Sequence, residues 1–178
     1  MGHPLLRQVA RPLSREEIAS DDTVRLVTDM VDTLKDYGGI GLAAPQVGES
    51  VRLAIIEIDG SGSRYGEIPE LPLTIFINPE ITVCEDAVLE GYWEGCLSVP
   101  GLRGFVERPQ HVRVNYLDHR AREQSIELHD FLATVFQHEF DHLDGRLYVD
   151  RMTDLRQLAF ENEFERYLAP RQDGESLD

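Results

Sequence analysis

In the stretch QHEFDHLDG (137–145), His138 and His142 stand four residues apart, with Glu139 beside the first. Residues i and i+4 share one face of a helix, so two neutral imidazoles at this spacing can chelate one cation. The flanking Glu139 can reach a water held by that cation. Taken alone, the pattern points to a metal and not to a reaction. It also leaves the site short of a third protein ligand, which could be His, Glu, Asp or Cys.

A second stretch offers a candidate. In EGCLS (94–98), Cys96 follows Gly95, whose missing side chain lets the backbone turn or approach closely, and is followed by VPG, which reads as a turn. A thiolate beside two imidazoles would make a tetrahedral site with one position left for water. Cys84, in the middle of ITVCEDAV, reads as a packing residue in a strand, and a disulfide between the two cysteines is not expected. The other histidines, His3, His111, His119 and His129, lie in arm, strand or loop positions without a supporting pattern and read as solvated side chains.

The third stretch is GGIGLAAPQVG (38–48), in which Gly39, Gly41 and Ala44 match the dinucleotide pattern G-x-G-x-x-A. That fingerprint needs a strand before it and a helix after it. Here a helix comes first and Pro45 interrupts the residues after it, so nucleotide binding is rejected. Small residues such as Gly41 would instead let an extended ligand backbone pair with a strand edge, with the Gln46 amide as a donor nearby.

The elements that must position these groups fit one α+β domain. The 178 residues, 42% of them hydrophobic, suffice for one sizeable core. Val24, Val27, Val31 and Leu34 form a helical stripe over 23–37, with Asp21 or Asp22 as a cap and Gly38-Gly39 as the stop. VRLAIIEI (51–58) reads as a buried strand, 59–72 as a loop, and strands are expected at 74–77, 81–89 and 111–117, the last alternating as HVRVNYL. The histidine pair falls on a helix over 130–143, where it continues the inward stripe of Phe131 and Val135. A further helix is expected over 153–168, with Thr153 as its cap. Residues 1–20 read as an irregular arm and 169–178 as a frayed tail.

Thirty-three acidic against seventeen basic residues give a formal charge of −16, which repels phosphate and argues against nucleic acid as a partner. No apolar run approaches the ~20 residues of a membrane helix. The N-terminus has neither a signal-peptide nor a transit-peptide build, so no membrane is expected and the cytoplasm is the default compartment.

GIGLAAPQ, EGCLS and QHEFDHL, in this order, resemble the three motifs of the peptide deformylase family. The likeness runs from about Gly2 to Met152, with VPGLRGFVERP and LDGRLYVDRM included. The family usually carries a few residues ahead of the equivalent of MGHP. The resemblance implies small mixed or antiparallel sheets packed around a central metal-binding helix. It implies a metal-dependent hydrolase that removes the N-formyl group from the N-terminal formyl-methionine of newly made proteins, releasing formate. It places the metal on Cys96, His138 and His142 and makes Glu139 the acid/base. The Gln46 amide and the Leu97 backbone N–H would bind the developing oxyanion, while Ile40, Leu97 and Val135 would line the methionine pocket. The implied cofactor is one divalent ion per chain, Fe(2+) in the cell, with Zn(2+), Ni(2+) or Co(2+) also accommodated in purified protein. The implied partners are N-formyl-Met nascent polypeptides. In some relatives a helical C-terminal end also docks transiently on the ribosome, helped by positive charge; here residues 153–178 carry three Arg against seven acids. The rival readings are a metallopeptidase, a binding protein that captures N-termini, and a closed structural metal site.

Overall fold

The structure, a computed structural model, describes residues 1–58 and 70–169. Most of the expected loop at 59–72 and all but Ala169 of the expected tail lie outside the described residues.

The alternation in HVRVNYL is that of a strand with one wet face: in β6 (His111–Leu117) Val112 and Val114 are fully buried, while Arg113 and Asn115 face solvent. It lies between β3 (Leu71–Val83) and β7 (Glu123–His129). With β2 (Leu53–Ile58) and β1 (Gly41–Ala43) these form an antiparallel sheet in the order β1-β2-β3-β6-β7, which leaves β1 at an edge. A smaller antiparallel sheet follows the order β4 (Leu89–Cys96), β5 (Val99–Pro109) and β8 (Leu158–Phe160).

β2 is apolar throughout because both of its faces are covered. Ala54 and Ile56 pack with Phe76, Phe136 and Phe140 against α3 (Asp130–Leu143). Leu53 and Ile55 turn the other way, towards Met30 and Leu34 of α2 (Asp21–Tyr37). Each fully buried aliphatic side chain of this kind contributes about 1.5–3 kcal/mol. Helix α3 also touches β5, so it bridges the two sheets, and it occupies the span expected for the helix of the histidine pair.

Several local expectations are corrected. Helix α2 is capped by Ser20, with Asp21 and Asp22 in its first turn, and Val24 lies off the buried stripe at 59% exposure. The strands expected at 74–77 and 81–89 are not separate: β3 runs through the first and into the second as far as Val83, Leu89 begins β4, and the break in the pattern is a bulge at Asn78-Pro79, where Asn78 has φ 49°. Because β3 ends at Val83, Cys84 is past the strand and not within it; both cysteines are free thiols. The turn expected at VPG falls earlier, at Leu97-Ser98, because Cys96 pairs with Val99 and closes a β4–β5 hairpin. The first twenty residues contain a 3-10 turn (Pro4–Arg7) and the short helix α1 (Arg15–Ile18), fixed by a capping box between Ser14 and Glu17.

The helix expected over 153–168 is shorter and begins later. Asp154, not Thr153, caps a 3-10 turn (Leu155–Gln157), β8 pairs with Leu102–Gly104 of β5, and only α4 (Glu161–Tyr167) is α-helical there. The partner that converts this segment to strand is more than fifty residues away, so nothing local announces it. No helix among the described residues is long and apolar enough to cross a membrane.

The smaller sheet and α3 are joined by a buried arginine. From β5, Arg108 gives Glu94 of β4 two bonds, Nε–H to Oε1 at 2.6 Å and Nη2–H to Oε2 at 3.0 Å. Its Nη1–H donates to Asp141 Oδ2 of α3 at 2.8 Å. Arg151 closes the Asp141 end through Nε–H at 3.1 Å. Burial by itself would raise both carboxyl groups. The hydrogen bonds and charges of His138 and Arg108 at Glu94, and of Arg151 and Arg108 at Asp141, outweigh it and hold both below their ordinary values. Both carboxylates therefore add stability above their unfolded-state pKa values, and it is lost as pH falls through their lower folded values. Replacing Arg108 by Ala would leave two buried carboxylates with only His138 and Arg151 to offset their charge. Urea unfolding of Arg108→Ala at neutral pH should show a loss of about 3–5 kcal/mol, and a change under 1 kcal/mol would remove this cluster from the stability of the fold.

Candidate active site

One face of α3 and the tip of the β4–β5 hairpin converge. Cys96, His138 and His142 offer one ligand atom each, all within 4.8 Å of one another. Cys96 Sγ and His142 Nε2 are 3.3 Å apart. His138 donates its Nδ1–H to Glu94 Oε2 at 2.7 Å, which turns Nε2 towards the other two donors. This is the usual second-layer support of a ligating histidine. The set therefore fits a metal: one soft sulfur and two imidazole nitrogens, with one ring orientation fixed from behind. Zinc and iron(II) both accept such a mixed set.

The two imidazoles differ electrically. Burial first, and then the positive charge of His138, drive the His142 pKa down to about 3, so His142 is neutral and ready to ligate. Burial also opposes charge on His138, but the hydrogen bonds with Cys96 and Glu94 outweigh it and lift its pKa well above the ordinary value. A metal entering at neutral pH must displace that proton.

Glu139 does not join the ligand cluster. It is buried, its Oε2 has no protein hydrogen-bond partner, and its carboxyl pKa is pushed up to about 7. Burial is the main cause; the charge of Glu94 adds to it, and those of His138 and Arg108 oppose it. The room Glu139 occupies is made by Gly41, where a Cβ would lie 2.6 Å from the Glu139 carboxyl carbon and Oε1. The glycine in β1 is thus required by the approach of a carboxylate side chain from α3, beyond any approach of a ligand.

Gln46 is held in one orientation. Its Oε1 accepts the Ala43 N–H at 2.8 Å, which directs Nε2 towards Ser98 Oγ at 3.3 Å and Cys96 Sγ at 3.8 Å. A cleft of about 550 Å³ brings together Gly39, Ile40, Gly41, Gln46, Cys96, Leu97, Val135, His138 and Glu139. His142 is not in its wall; it is almost fully buried behind it. Ile40 and Leu97 are 40% and 46% exposed at the rim, whereas Val135 is buried in the wall.

Sequence reasoning missed Glu94, Arg108 and Ser98 as supporting residues, and Arg103 and Glu161 as part of the rim. Glu94 stands within EGCLS, but its role depends on partners 14 and 44 residues away. Arg103 Nη2–H donates to Glu161 Oε1 at 2.6 Å, so the start of α4 closes one side of the cleft.

Known proteins resemble this chain over most of its length. The family model described as Polypeptide deformylase matches residues 1–158. Peptide deformylase of Leptospira biflexa is 40% identical over 165 residues, covering 93% of this chain and 92% of that protein. Peptide deformylase 2 of Pseudomonas syringae pv. tomato is 44% identical over 160 residues, covering 90% and 88%. Among solved structures, a class I type b peptide deformylase from Acinetobacter baumannii with Met-Ala-Ser bound superposes with a TM-score of 0.77 at 37% identity, covering 85% of this chain and 94% of that one. The actinonin complex of the Synechococcus elongatus enzyme gives 0.75 at 37% identity, covering 93% and 81%.

The contact between Gly41 and Glu139 can be tested directly. Gly41→Ala should displace the Glu139 carboxyl and lower kcat by on the order of 10²-fold, with metal content and thermal unfolding unchanged. Wild-type turnover in that variant would show that the carboxylate position is not set by β1.

Proposed function

Because this chain belongs to the polypeptide deformylase family, hydrolases that remove N-formyl groups from N-terminal methionine, we propose which of its residues do that work. The protein deformylates the N-terminal formyl-methionine of nascent chains. The single observation that carries the assignment is a buried Glu139 with an unpaired oxygen, in one cleft with two of the three metal-ligand candidates and backed by the third.

Cys96, His138 and His142 would hold the divalent ion. When bound, the ion supplies Lewis acidity and makes water a nucleophile near neutral pH. Glu139 takes a proton from the water as its oxygen bonds to the formyl carbon. The Gln46 Nε2–H, whose direction the Ala43 N–H fixes, and the Leu97 N–H at the hairpin tip donate to the formyl oxygen as negative charge gathers there. Glu139 then gives its proton to the leaving nitrogen, the C–N bond breaks, and formate and a free amino terminus result.

The substrate backbone adds to the open edge of β1, with Gly41 in the pairing segment, and its methionine side chain enters the space between Ile40, Leu97 and Val135. Met-Ala-Ser in the Acinetobacter baumannii relative supports a peptide beginning with methionine as the occupant of this cleft. We place the reaction in the cytoplasm, on formylated nascent chains, without charge-assisted ribosome docking, since residues 153–178 carry seven acids against three Arg.

Glu139→Gln should retain metal and fold while formate release from a formyl-Met peptide falls by at least ~10²–10⁴-fold; near-normal turnover would reassign the acid/base. Cleavage of an unformylated peptide by the native protein would favour a metallopeptidase instead.

We assign Fe(2+) as the working metal. Zinc binds a mixed N/S set more tightly by the usual affinity order, so purification in air favours Zn(2+), with Ni(2+) or Co(2+) as substitutes. The anaerobic iron protein should be much faster than the zinc protein and should decay in air as the metal or the Cys96 sulfur oxidises. Equal, air-stable formate-release rates for the two forms would overturn the iron assignment.

A further inference from the structure

On the outer face of the five-stranded sheet, outside the cleft, a second group of ligand atoms converges. His111, Glu127 and His129 each offer one donor, and these lie within 4.8 Å of one another. The cause is register. His111 of β6 stands directly opposite His129 of β7, and the bond from Asp130 N–H to Gln110 O marks them as a non-hydrogen-bonded pair, the closer of the two kinds. Their rings stack at 4.1 Å, 25° from parallel. Glu127, two residues before His129, projects from the same face.

Three further observations point to a ligand. His111 donates Nδ1–H to Asp86 Oδ1 at 2.6 Å, so its Nε2 carries the lone pair. That Nε2 is buried and has no hydrogen-bond partner in the protein. Arg113 places both of its bonds to Glu127 on one oxygen, Oε1, with Nε–H at 3.0 Å, which leaves Oε2 for a cation. A carboxylate behind one imidazole, a second imidazole opposite it and a free carboxylate oxygen are the parts of a two-histidine, one-carboxylate site.

We propose that His111, His129 and Glu127 form a second metal site, for zinc or another borderline divalent transition metal, with Asp86 orienting His111. One nitrogen from each ring and the carboxylate oxygen would hold the ion, with open positions left for water. His129 immediately precedes α3, about nine residues and ~14 Å along the axis from His138. An ion here would tie β6 and β7 to the start of the helix that carries the catalytic ligands. Arg113 is its natural competitor, because it shares Glu127.

Nickel-loaded holoenzyme, dialysed against zinc, allows the two metals to be counted separately. One equivalent of zinc per chain should be gained with the nickel retained. His129→Ala should abolish the gain. Asp86→Asn should weaken zinc binding by about 10–100-fold, whereas Arg113→Ala should bind at least as tightly as the native protein and His119→Ala should behave as native. Zinc should also raise the Tm of the native holoenzyme and not that of His129→Ala. Absence of a second equivalent, or uptake that survives His129→Ala, would overturn the site and leave a metal-free stacked imidazole pair. A protein that takes up no nickel at the outset would instead refute the Cys96, His138 and His142 ligand set.

Discussion

A single buried arginine holds together the parts of this molecule that must act together. Arg108 reaches from β5 to Glu94 on the neighbouring strand and to Asp141 on the helix that carries both ligand histidines. Removing such charges from water is costly, and the cost is met only when every partner is present and well oriented. Two carboxylates face two guanidinium groups here, and the remaining bond of Glu94 goes to His138. The register between hairpin and helix is therefore specified by charge as well as by apolar packing, and the position of Cys96 relative to the histidines depends on it.

The same cluster sets the chemistry of the site. Glu94 fixes which nitrogen of His138 faces the metal position, and its charge helps keep the Glu139 carboxyl high. His142 receives no such partner and is kept neutral by burial. Two imidazoles of identical type, one turn apart, thus arrive at opposite electrical states through their surroundings. A cation bound among them would pull Glu139 down again, so the carboxylate and the ion are poised as a coupled pair.

Close approach governs the third part. β1 is short, lies at a sheet edge and comes so near α3 that only glycine at 41 admits Glu139. The strand proposed to pair with a substrate backbone is thereby the strand that positions Glu139, the proposed acid/base. Gln46 comes in the next turn, its carbonyl consumed by the Ala43 N–H so that only the amide hydrogens are left for the cleft. In the proposed mechanism, substrate pairing, proton transfer and oxyanion stabilisation would be carried by six consecutive residues, one helix and the hairpin tip.

The sequence by itself determined what repeats locally. The i, i+4 spacing of His138 and His142 placed both on the inward face of a helix over 130–143, and the alternation of HVRVNYL marked β6, because each pattern is written in consecutive residues. The three motifs also carried the resemblance to the family, and with it Cys96, Glu139 and Gln46. Only the tertiary structure decided what depends on distant partners. Residues 158–160 became a strand because β5 offered an edge, and the Asn78-Pro79 bulge joined one expected strand to the first part of the next. Glu94 and Arg108 entered the site through bonds to α3, and His111 met His129 through a register set by the whole sheet. Each of those outcomes is a pairing between segments far apart in the chain, whose energy exists only once the chain has closed on itself.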